Sequence, residues 1–247
     1  MRIMLTNDDG INADGINILH EVLSSVHDVY IIAPDSEKSA CSNGISVHYE
    51  LIMKEIAEKK FSVSGLPADC VDIGLHGNVI PEPDIVISGI NHGPNLGDDI
   101  FFSGTVAGAR TACIFGKPGI AVSMDRYRES SVYLADAARF ILGFLTENAP
   151  DFARDAYFYN INYPDLPGDD IKGAKYTFIG KRIYMDSYRK TAVSKTEMKL
   201  NLEGSIISPE IHGSDVTELR NGFISITPLS LDCTNLDALK KHMMNMI

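Results

Sequence analysis

Two adjacent aspartates, Asp8 and Asp9, follow a short apolar stretch at the start of the chain. Two ionised carboxylates at the end of a buried strand repel each other, so one takes up a proton unless a cation lies beside them. Later loops offer neutral oxygen donors: the Ser39 hydroxyl and the side-chain amide of Asn91 or Asn95. Such an all-oxygen set suits Mg²⁺, Mn²⁺ or Ca²⁺ rather than zinc or copper. We therefore predict a divalent-cation site; the alternative is that the pair caps the next helix or faces water.

A glycine-rich segment, GINHGPNLG at 89–97, supplies a second feature. Its glycines recur every four residues, and the segment SGTVAGA at 103–109 then enters a helix with small residues, so backbone N–H groups can approach an anion. The segment is not a dinucleotide fingerprint, because no GxGxxG follows a strand, and the Gly-Lys pair at 116–117 is not part of a P-loop, because proline follows it. Alone, such a loop is more often a turn. Beside a cation on neighbouring strand ends, it predicts a phosphate-ester pocket.

Two histidines are weaker candidates for acid or base chemistry. His48 falls in the alternating stretch ISVHY, which predicts a strand, and His92 falls in the glycine-rich segment. A lone histidine is more often structural or solvated than catalytic.

Apolar stretches and helical patterns alternate through the first two thirds of the chain, which is typical of βαβ units and a mostly parallel sheet covered on both faces. Ligands of such a doubly wound α/β fold bind outside the carboxyl ends of the strands, where the polar loops converge. The predicted strands are 2–6, 29–34, 84–89, 119–124 and 157–162, and the predicted helices are 14–25, 68–77, 105–116 and 131–148.

Polar, β-rich segments separated by glycine and proline follow residue 164. We predict a catalytic core at 1–180 and a C-terminal extension at 181–247, with a β-hairpin arm in 181–220 that packs on a partner subunit and a short terminal helix at 237–246. The arm begins with a basic, aromatic run. Two interpretations of this run are equally open: a solvated surface, or contact with the base or phosphate of a nucleotide. This run comprises Lys181, Arg182, Tyr184, Tyr188, Arg189 and Lys190.

Composition narrows the class of protein. The chain has 247 residues, 45% of them hydrophobic and 22% charged, which is typical of a soluble protein with a sizeable core. A net charge of −11 opposes nucleic-acid binding through a broad basic surface, so no duplex binding is expected. No apolar run approaches the roughly 18 residues of a membrane span, and a charged residue and a strand at the start predict no signal peptide. A cytoplasmic protein is expected.

Six motifs in a fixed order resemble those of the SurE family, metal-dependent nucleotidases and acid-type phosphatases of bacteria and archaea. The resemblance covers nearly the whole chain. The motifs are TNDDG at 6–10, AP-(DE)-x-x-x-SA at 33–40, GxPADCV at 65–71, SGxNxGPNxG at 88–97, SGTVxxA at 103–109 and ISITPL at 224–229.

The resemblance implies a ligand set for one divalent cation per subunit, Mg²⁺ or Mn²⁺. It favours Asn91 over Asn95 as the amide ligand, which gives Asp8, Asp9, Ser39 and Asn91. It leaves four residues near the phosphate: Asn95, Ser103, Gly104 and Thr105. It further implies a Rossmann-like three-layer α/β/α sandwich whose C-terminal extension exchanges contacts between subunits, giving a homodimer or homotetramer.

The expected function is hydrolysis of nucleoside 5′-monophosphates, with 3′-monophosphates and short polyphosphate as further substrates. Asp8 or Asp9 is expected to accept the proton of the attacking water, and Asn12 to hydrogen-bond the ligand or a metal-bound water. A covalent phosphoenzyme is left open, although Gly10 after Asp9 breaks the DxD spacing of aspartyl-phosphate phosphatases.

Two other classes of protein compete with this interpretation. A signalling receiver module also binds Mg²⁺ through an acidic pair, but it needs a lysine after its last strand, which GIAVSMDRY at 119–127 does not offer, and about half this length. A metal-stabilised binding or scaffold protein would carry the same residues without turnover.

Overall fold

A nine-stranded sheet forms the centre of the protein in a computed structural model, which describes residues 1–126, 132–148 and 157–244. Across the sheet the strands are β3 (Met53–Ala57), β4 (Lys60–Val63), β2 (Asp28–Pro34), β1 (Arg2–Thr6), β5 (Ile85–His92), β6 (Gly119–Met124), β7 (Tyr157–Tyr163), β13 (Ile224–Ser230) and β8 (Ala174–Tyr176). In this order the strands from β4 to β7 run parallel, β3 and β13 are antiparallel to their inner neighbours, and β8 is parallel to β13. The predicted mostly parallel α/β sheet is confirmed.

The central strands are apolar along most of their length because both faces of the sheet are covered. In β1, Ile3, Met4 and Leu5 are completely buried, and Leu5 lies opposite Ile31 of β2 and Ile87 of β5. Side chains on alternate positions of these strands therefore reach separate apolar clusters on the two faces.

Two pairs of helices cover the sheet. Helices α1 (Asp14–Ser24) and α4 (Leu134–Asn148) contact each other on one face, and α2 (Pro67–His76) and α3 (Gly104–Ile114) contact each other on the other face. This gives the expected three-layer sandwich. The four helices lie within a few residues of their predicted bounds, and the predicted start of α4 at residue 131 lies outside the described residues.

Gly15 allows α1 to lie directly against β5. A Cβ atom at this position would lie 1.9 Å from the carbonyl oxygen of Ile90, far inside the closest approach that real atoms make. Only glycine fits such a close approach of helix and strand backbones. The contact fixes the backbone next to Asn91.

The C-terminal region contains smaller elements. Strands β9 (Ile183–Tyr184) and β12 (Ile206–Ile207) pair with each other, and β10 (Ser187–Ala192) and β11 (Met198–Glu203) form a hairpin in which every residue is exposed. The chain then forms α5 (Asp215–Arg220), β13 and α6 (Leu236–Met244). The last residues of the predicted terminal helix, 245 and 246, lie outside the described residues.

The domain division at residue 180 stays a prediction, but the central sheet contains a strand from beyond that residue. Strand β13, which the division assigns to the extension, lies between β7 and β8 of the central sheet. The residues of β13 are mostly buried, so the chain returns to the core after the exposed arm.

Three local features differ from the sequence predictions. The antiparallel pair β3–β4 and the helix α5 were not predicted, because β3 is mostly exposed and has no apolar alternation, and α5 has only 6 residues. Residues 45–49, predicted as a strand carrying His48, form none, since an alternating pattern makes no strand without a neighbour to pair with. Within the described ranges, no helix has both the length and the apolar character needed to cross a membrane.

Candidate active site

The acidic pair lies where three elements meet. Asp8 and Asp9 follow β1 directly, and β1 has β2 on one side and β5 on the other, which makes this end of the sheet a topological switch point. Asp8 is buried, and its Oδ1 accepts a hydrogen bond of 2.5 Å from the Thr105 hydroxyl in α3. Asp9 is half-buried, and its Oδ2 accepts one of 3.1 Å from the backbone N–H of His92. The pair therefore connects β1 to both α3 and the end of β5.

Both carboxylates are disfavoured as anions. Burial raises the pKa of Asp8 to about 6, the hydrogen bond from Thr105 opposes this rise, and the charge of Asp9 adds to it. Burial also raises the pKa of Asp9, against the lowering effect of the His92 backbone N–H, while Glu37 adds a further negative charge. Two neighbouring anions in this setting are stabilised by a cation between them or beside them.

The surrounding donors fit a hard divalent cation. The side chain of Asn91 donates its N–H to the carbonyl of Gly93 at 2.7 Å, which leaves its amide oxygen as the acceptor end. Asn7 is completely buried, and its Oδ1 accepts no hydrogen bond in the described part of the chain. Among the described residues, no three His, Cys, Asp or Glu side chains lie close enough together to hold a metal ion. The available ligands are therefore two carboxylates and neutral oxygen atoms. This is the chemistry expected for Mg²⁺ or Mn²⁺.

Ser39 lies in the loop after β2, which hydrogen-bonds back to the acidic pair. The backbone N–H of Lys38 donates to the carbonyl oxygen of Asp8 at 2.7 Å. Ser39 itself is exposed, and its hydroxyl donates to Glu37 at 2.6 Å. The loop therefore approaches Asp8 through its backbone, and the hydroxyl oxygen of Ser39 keeps its lone pairs. Its role as a metal ligand stays a prediction.

The amino terminus of α3 points at the same place. Ser103 is the N-cap residue, and its side chain accepts a hydrogen bond of 3.0 Å from the backbone N–H of Val106. A Cβ atom on Gly104 would lie 2.8 Å from the Cβ of Asp8, so glycine lets the first turn pack directly on the aspartate. The positive end of the helix dipole then lies beside a carboxylate, where it stabilises negative charge.

Asn95 is held in place by buried polar groups of β6 and β7. Its backbone N–H donates to Oδ1 of Asn162 at 2.8 Å, and its side-chain N–H donates to Ser123 at 2.8 Å. Its carbonyl oxygen accepts hydrogen bonds from Asn160 and Asn162 at 2.8 and 3.0 Å. The glycine-rich loop is therefore fixed at its centre. These three partners were not predicted from the sequence, although polar residues at alternate positions of an otherwise apolar strand, YFYNINY, indicate two of them.

Asp215 of α5 holds the far side of the same loop. Its carboxylate oxygens accept hydrogen bonds from the backbone N–H groups of Gly97 and Gly180, at 2.8 and 2.7 Å. Burial raises the pKa of Asp215, and these N–H donors oppose the rise. Residues 118 positions apart are joined in this way, and no local pattern in the sequence indicates the contact.

The basic, aromatic run at 181–190 interacts with acidic side chains of the chain itself. Arg182 pairs with Asp99 at 2.5 Å, and Tyr184 also donates a hydrogen bond to Asp99. Outside this pair, Lys181 contacts Asp98 and Arg189 contacts Glu203. Much of the run therefore serves to attach the C-terminal segment to the loop after Asn95.

The remaining candidates lie at the surface. Asn12 is exposed, and no hydrogen bond joins its side chain to the acidic pair among the described residues. His48 is exposed, and His92 donates its backbone N–H to Asp9, while the charge of its ring also lowers the pKa of Asp9. The role of Asn12 stays a prediction.

The fold and this arrangement define a class: doubly wound α/β proteins with an acidic pair and a helix amino terminus at the switch point, a setting suited to phosphate-bearing ligands. A family model described as survival protein SurE matches residues 3–186. The chain belongs to the SurE family.

Named relatives extend over nearly the whole chain. The 5′-nucleotidase SurE of Geotalea uraniireducens (strain Rf4) is 40% identical, with 97% of this chain and 96% of the relative covered. The 5′-nucleotidase SurE of Clostridium botulinum (strain Kyoto / Type A2) is 37% identical, with 98% and 97% covered. Among solved structures, the SurE protein from Aquifex aeolicus is similar with a TM-score of 0.82 and 34% identity, with 98% of each chain covered.

Proposed function

We propose that this protein is a divalent-metal-dependent phosphomonoesterase that hydrolyses nucleoside 5′-monophosphates to nucleoside and phosphate. Its relatives named 5′-nucleotidase support the substrate class. The observation that carries the proposal is the contact of Asp8 with Thr105, which brings the acidic pair to the amino terminus of α3. Cleavage of 3′-monophosphates and short polyphosphate would use the same site, since only the phosphate end needs to be shared.

We assign Asp8, Asp9, Ser39 and Asn91 as the residues that would hold one Mg²⁺ or Mn²⁺. When bound, the cation would neutralise charge on the phosphate and activate a water molecule. The raised pKa values of Asp8 and Asp9 support this assignment, because burial makes a pair of anionic carboxylates unfavourable unless further positive charge lies near it. One of the two carboxylates accepts the proton of the attacking water in this scheme.

The phosphate-binding side of the site uses neutral donors. The Ser103 hydroxyl accepts a hydrogen bond from Val106, so its own hydrogen is available to a phosphate oxygen. The hydroxyl hydrogen of Thr105 is donated to Asp8, so Thr105 orients that carboxylate and contributes its backbone N–H to the helix terminus. Gly104 and the fixed loop around Asn95 supply backbone groups at fixed positions, which is how preorganised donors stabilise charge that develops during reaction.

The test measures phosphate release by the purified protein. The substrates are AMP, GMP, 3′-AMP and p-nitrophenyl phosphate, each with Mn²⁺, with Mg²⁺ and with chelator. Release with metal and loss of release in chelator are expected. We expect Asp9→Asn to reduce release about 100-fold or more while the circular dichroism spectrum is retained.

Asp169→Asn is the matched control, since Asp169 is an exposed aspartate of a 3-10 turn remote in sequence from the acidic pair. It should leave release unchanged. Full activity in chelator or in Asp9→Asn would refute the assigned site, and no release from any substrate would favour a binding or scaffold protein instead.

We also propose that the protein is a homodimer or a homotetramer assembled through the exposed arm. Met198, Leu200 and Leu202 alternate along β11 and are 58%, 53% and 61% exposed, on the same face as Tyr188 of β10. A stripe of large apolar side chains on a projecting hairpin is favourable only if another surface covers it. A cytoplasmic location stays a prediction.

A further inference from the structure

A cavity of about 450 Å³ lies beside the loop that carries Asn95. Pro94 and Leu96, on either side of Asn95 in sequence, line it together with Asp125, which follows β6, and Pro164, which follows β7. The cavity therefore opens at the same carboxyl edge of the sheet as the acidic pair. Its apolar lining is Pro94, Leu96, Pro164, Leu166, Val216 and Leu219.

The distance between the acidic pair and the cavity matches the distance between the phosphate and the base of a nucleotide. Strands β1 and β6 are two places apart in the sheet, with β5 between them. Neighbouring strands lie about 4.8 Å apart, so the ends of β1 and β6 are separated by about 10 Å. An extended nucleoside monophosphate with its phosphate at the acidic pair has its base at about this distance.

Asp125 gives the cavity a polar group with a defined position. Its backbone N–H donates to the carbonyl oxygen of Tyr163 at 3.0 Å, which fixes the residue between the ends of β6 and β7. Its side chain is exposed at the cavity wall, and no hydrogen bond or ion pair joins its carboxylate to the residues described in the structure. Partial desolvation and the nearby Asp165 raise the pKa of Asp125, and the charge of Arg182 opposes the rise. A ligand with N–H donors would stabilise this carboxylate.

We propose that the cavity binds the base of the nucleotide substrate and that Asp125 selects guanine by accepting its two adjacent N–H donors. The inference rests on the proposed function of the acidic pair. The ring N1–H and the exocyclic amine of guanine point the same way, so one carboxylate accepts both hydrogen bonds, as it does from an arginine fork. The corresponding edge of adenine has one amine and an unprotonated ring nitrogen, which the carboxylate repels.

The experiment compares kcat/KM for GMP, AMP, IMP and 2′-deoxy-GMP in the native protein and in Asp125→Asn, with Asp169→Asn as the control. Loss of a hydrogen bond to a charged group corresponds to about a tenfold to hundredfold change. We expect GMP to exceed AMP and IMP by at least about tenfold in the native protein, and Asp125→Asn to remove this preference by lowering the GMP value. Hydrolysis of p-nitrophenyl phosphate, which has no base, reports whether the catalytic centre of the variant is intact.

Several results would overturn the inference. One is an equal kcat/KM for GMP and AMP in the native protein, and another is a guanine preference that persists in Asp125→Asn. A third is a kcat/KM for 2′-deoxy-GMP as low as that for IMP, which would assign the carboxylate to the ribose. If Asp125→Asn does not fold, kcat/KM for GMP and IMP in the native protein is compared instead, and equal values would overturn the inference.

Failure of the proposed function gives a different pattern, namely no release from any substrate, p-nitrophenyl phosphate included. Calorimetric titration with guanosine and adenosine, which carry no phosphate, then tests the cavity by itself. Tighter binding of guanosine that is lost in Asp125→Asn supports the base site, and equal binding refutes it.

Discussion

At the scale of single residues, the site depends on how one buried carboxylate is held. Asp8 is 5% exposed, and its partner Thr105 comes from an element 97 residues away in sequence. The threonine hydroxyl orients Asp8 and limits the rise of its pKa. Thr105 therefore acts as a positioning residue behind the proposed metal ligand, whereas the family resemblance implies a place for Thr105 near the phosphate.

Thr105→Val should weaken both the fold and metal binding. The substitution keeps the shape of the side chain but removes the donor, which leaves Asp8 Oδ1 buried without this partner at a cost of about 1–3 kcal/mol. Loss of a group that orients a metal ligand lowers metal affinity about 10- to 100-fold. Calorimetric titration with Mn²⁺ and urea denaturation measure the two effects.

Thr105→Ser is the conservative control, because it keeps the hydroxyl. It should restore most of the Mn²⁺ affinity that Thr105→Val loses. Equal Mn²⁺ affinity in the native protein and Thr105→Val would show that the hydrogen bond to Asp8 does not prepare the site.

At the scale of elements, close backbone contacts bring the candidate ligands together. Helix α1 contacts β5 through Gly15, and α3 packs on Asp8 through Gly104. Asn91, at the end of β5, is thereby positioned relative to the acidic pair by a helix that contributes no ligand of its own. The geometry of the site depends on packing outside it.

Gly15→Ala should destabilise the protein and disturb the site. The new Cβ would lie 1.9 Å from the Ile90 carbonyl oxygen, so α1 or β5 has to shift. Overpacking of this kind costs about 1–3 kcal/mol, and the shift would move Asn91. Urea denaturation measures the free energy of unfolding, and phosphate release measures the effect on the site.

Gly143→Ala in α4 is the matched control, since nothing lies within 4 Å of a Cβ atom there. Alanine restricts the unfolded chain, so this variant should gain about 0.4–1 kcal/mol. A Gly15→Ala protein as stable as the native one would contradict the tight contact between α1 and β5.

At the scale of the whole molecule, the C-terminal region both completes the sheet and projects away from it. Strand β13 pairs with β7, and Asp215 of α5 holds the loop after Asn95. Between the first and last strands of this region, the hairpin β10–β11 has every residue exposed. The same region therefore stabilises the site and presents the surface proposed for assembly.

Substitution of Leu200 and Leu202 together by lysine should convert the assembled protein to monomers. Both side chains lie on the apolar face of β11, and burying two unpaired charges at an interface is strongly unfavourable. Light scattering coupled to size-exclusion chromatography measures the mass of the particle. Lys199→Glu, on the opposite face of the same strand, should leave the assembly unchanged. An unaltered mass in the double variant, or a monomeric native protein, would refute assembly through the hairpin.

The sequence by itself determined the central strands, the four helices that cover them and the edge where chemistry is expected. Apolar strands and amphipathic helices follow from short-range patterns, and the ends of parallel strands must share one edge, so the acidic pair and the loop that carries Asn91 and Asn95 were predictable as neighbours. Only the tertiary structure decided which groups hydrogen-bond the residues of the site. Thr105 donates to Asp8, and Asp215 accepts from the backbone N–H of Gly97. Such contacts join residues about a hundred positions apart, and they depend on how the chain returns to the core rather than on any local pattern.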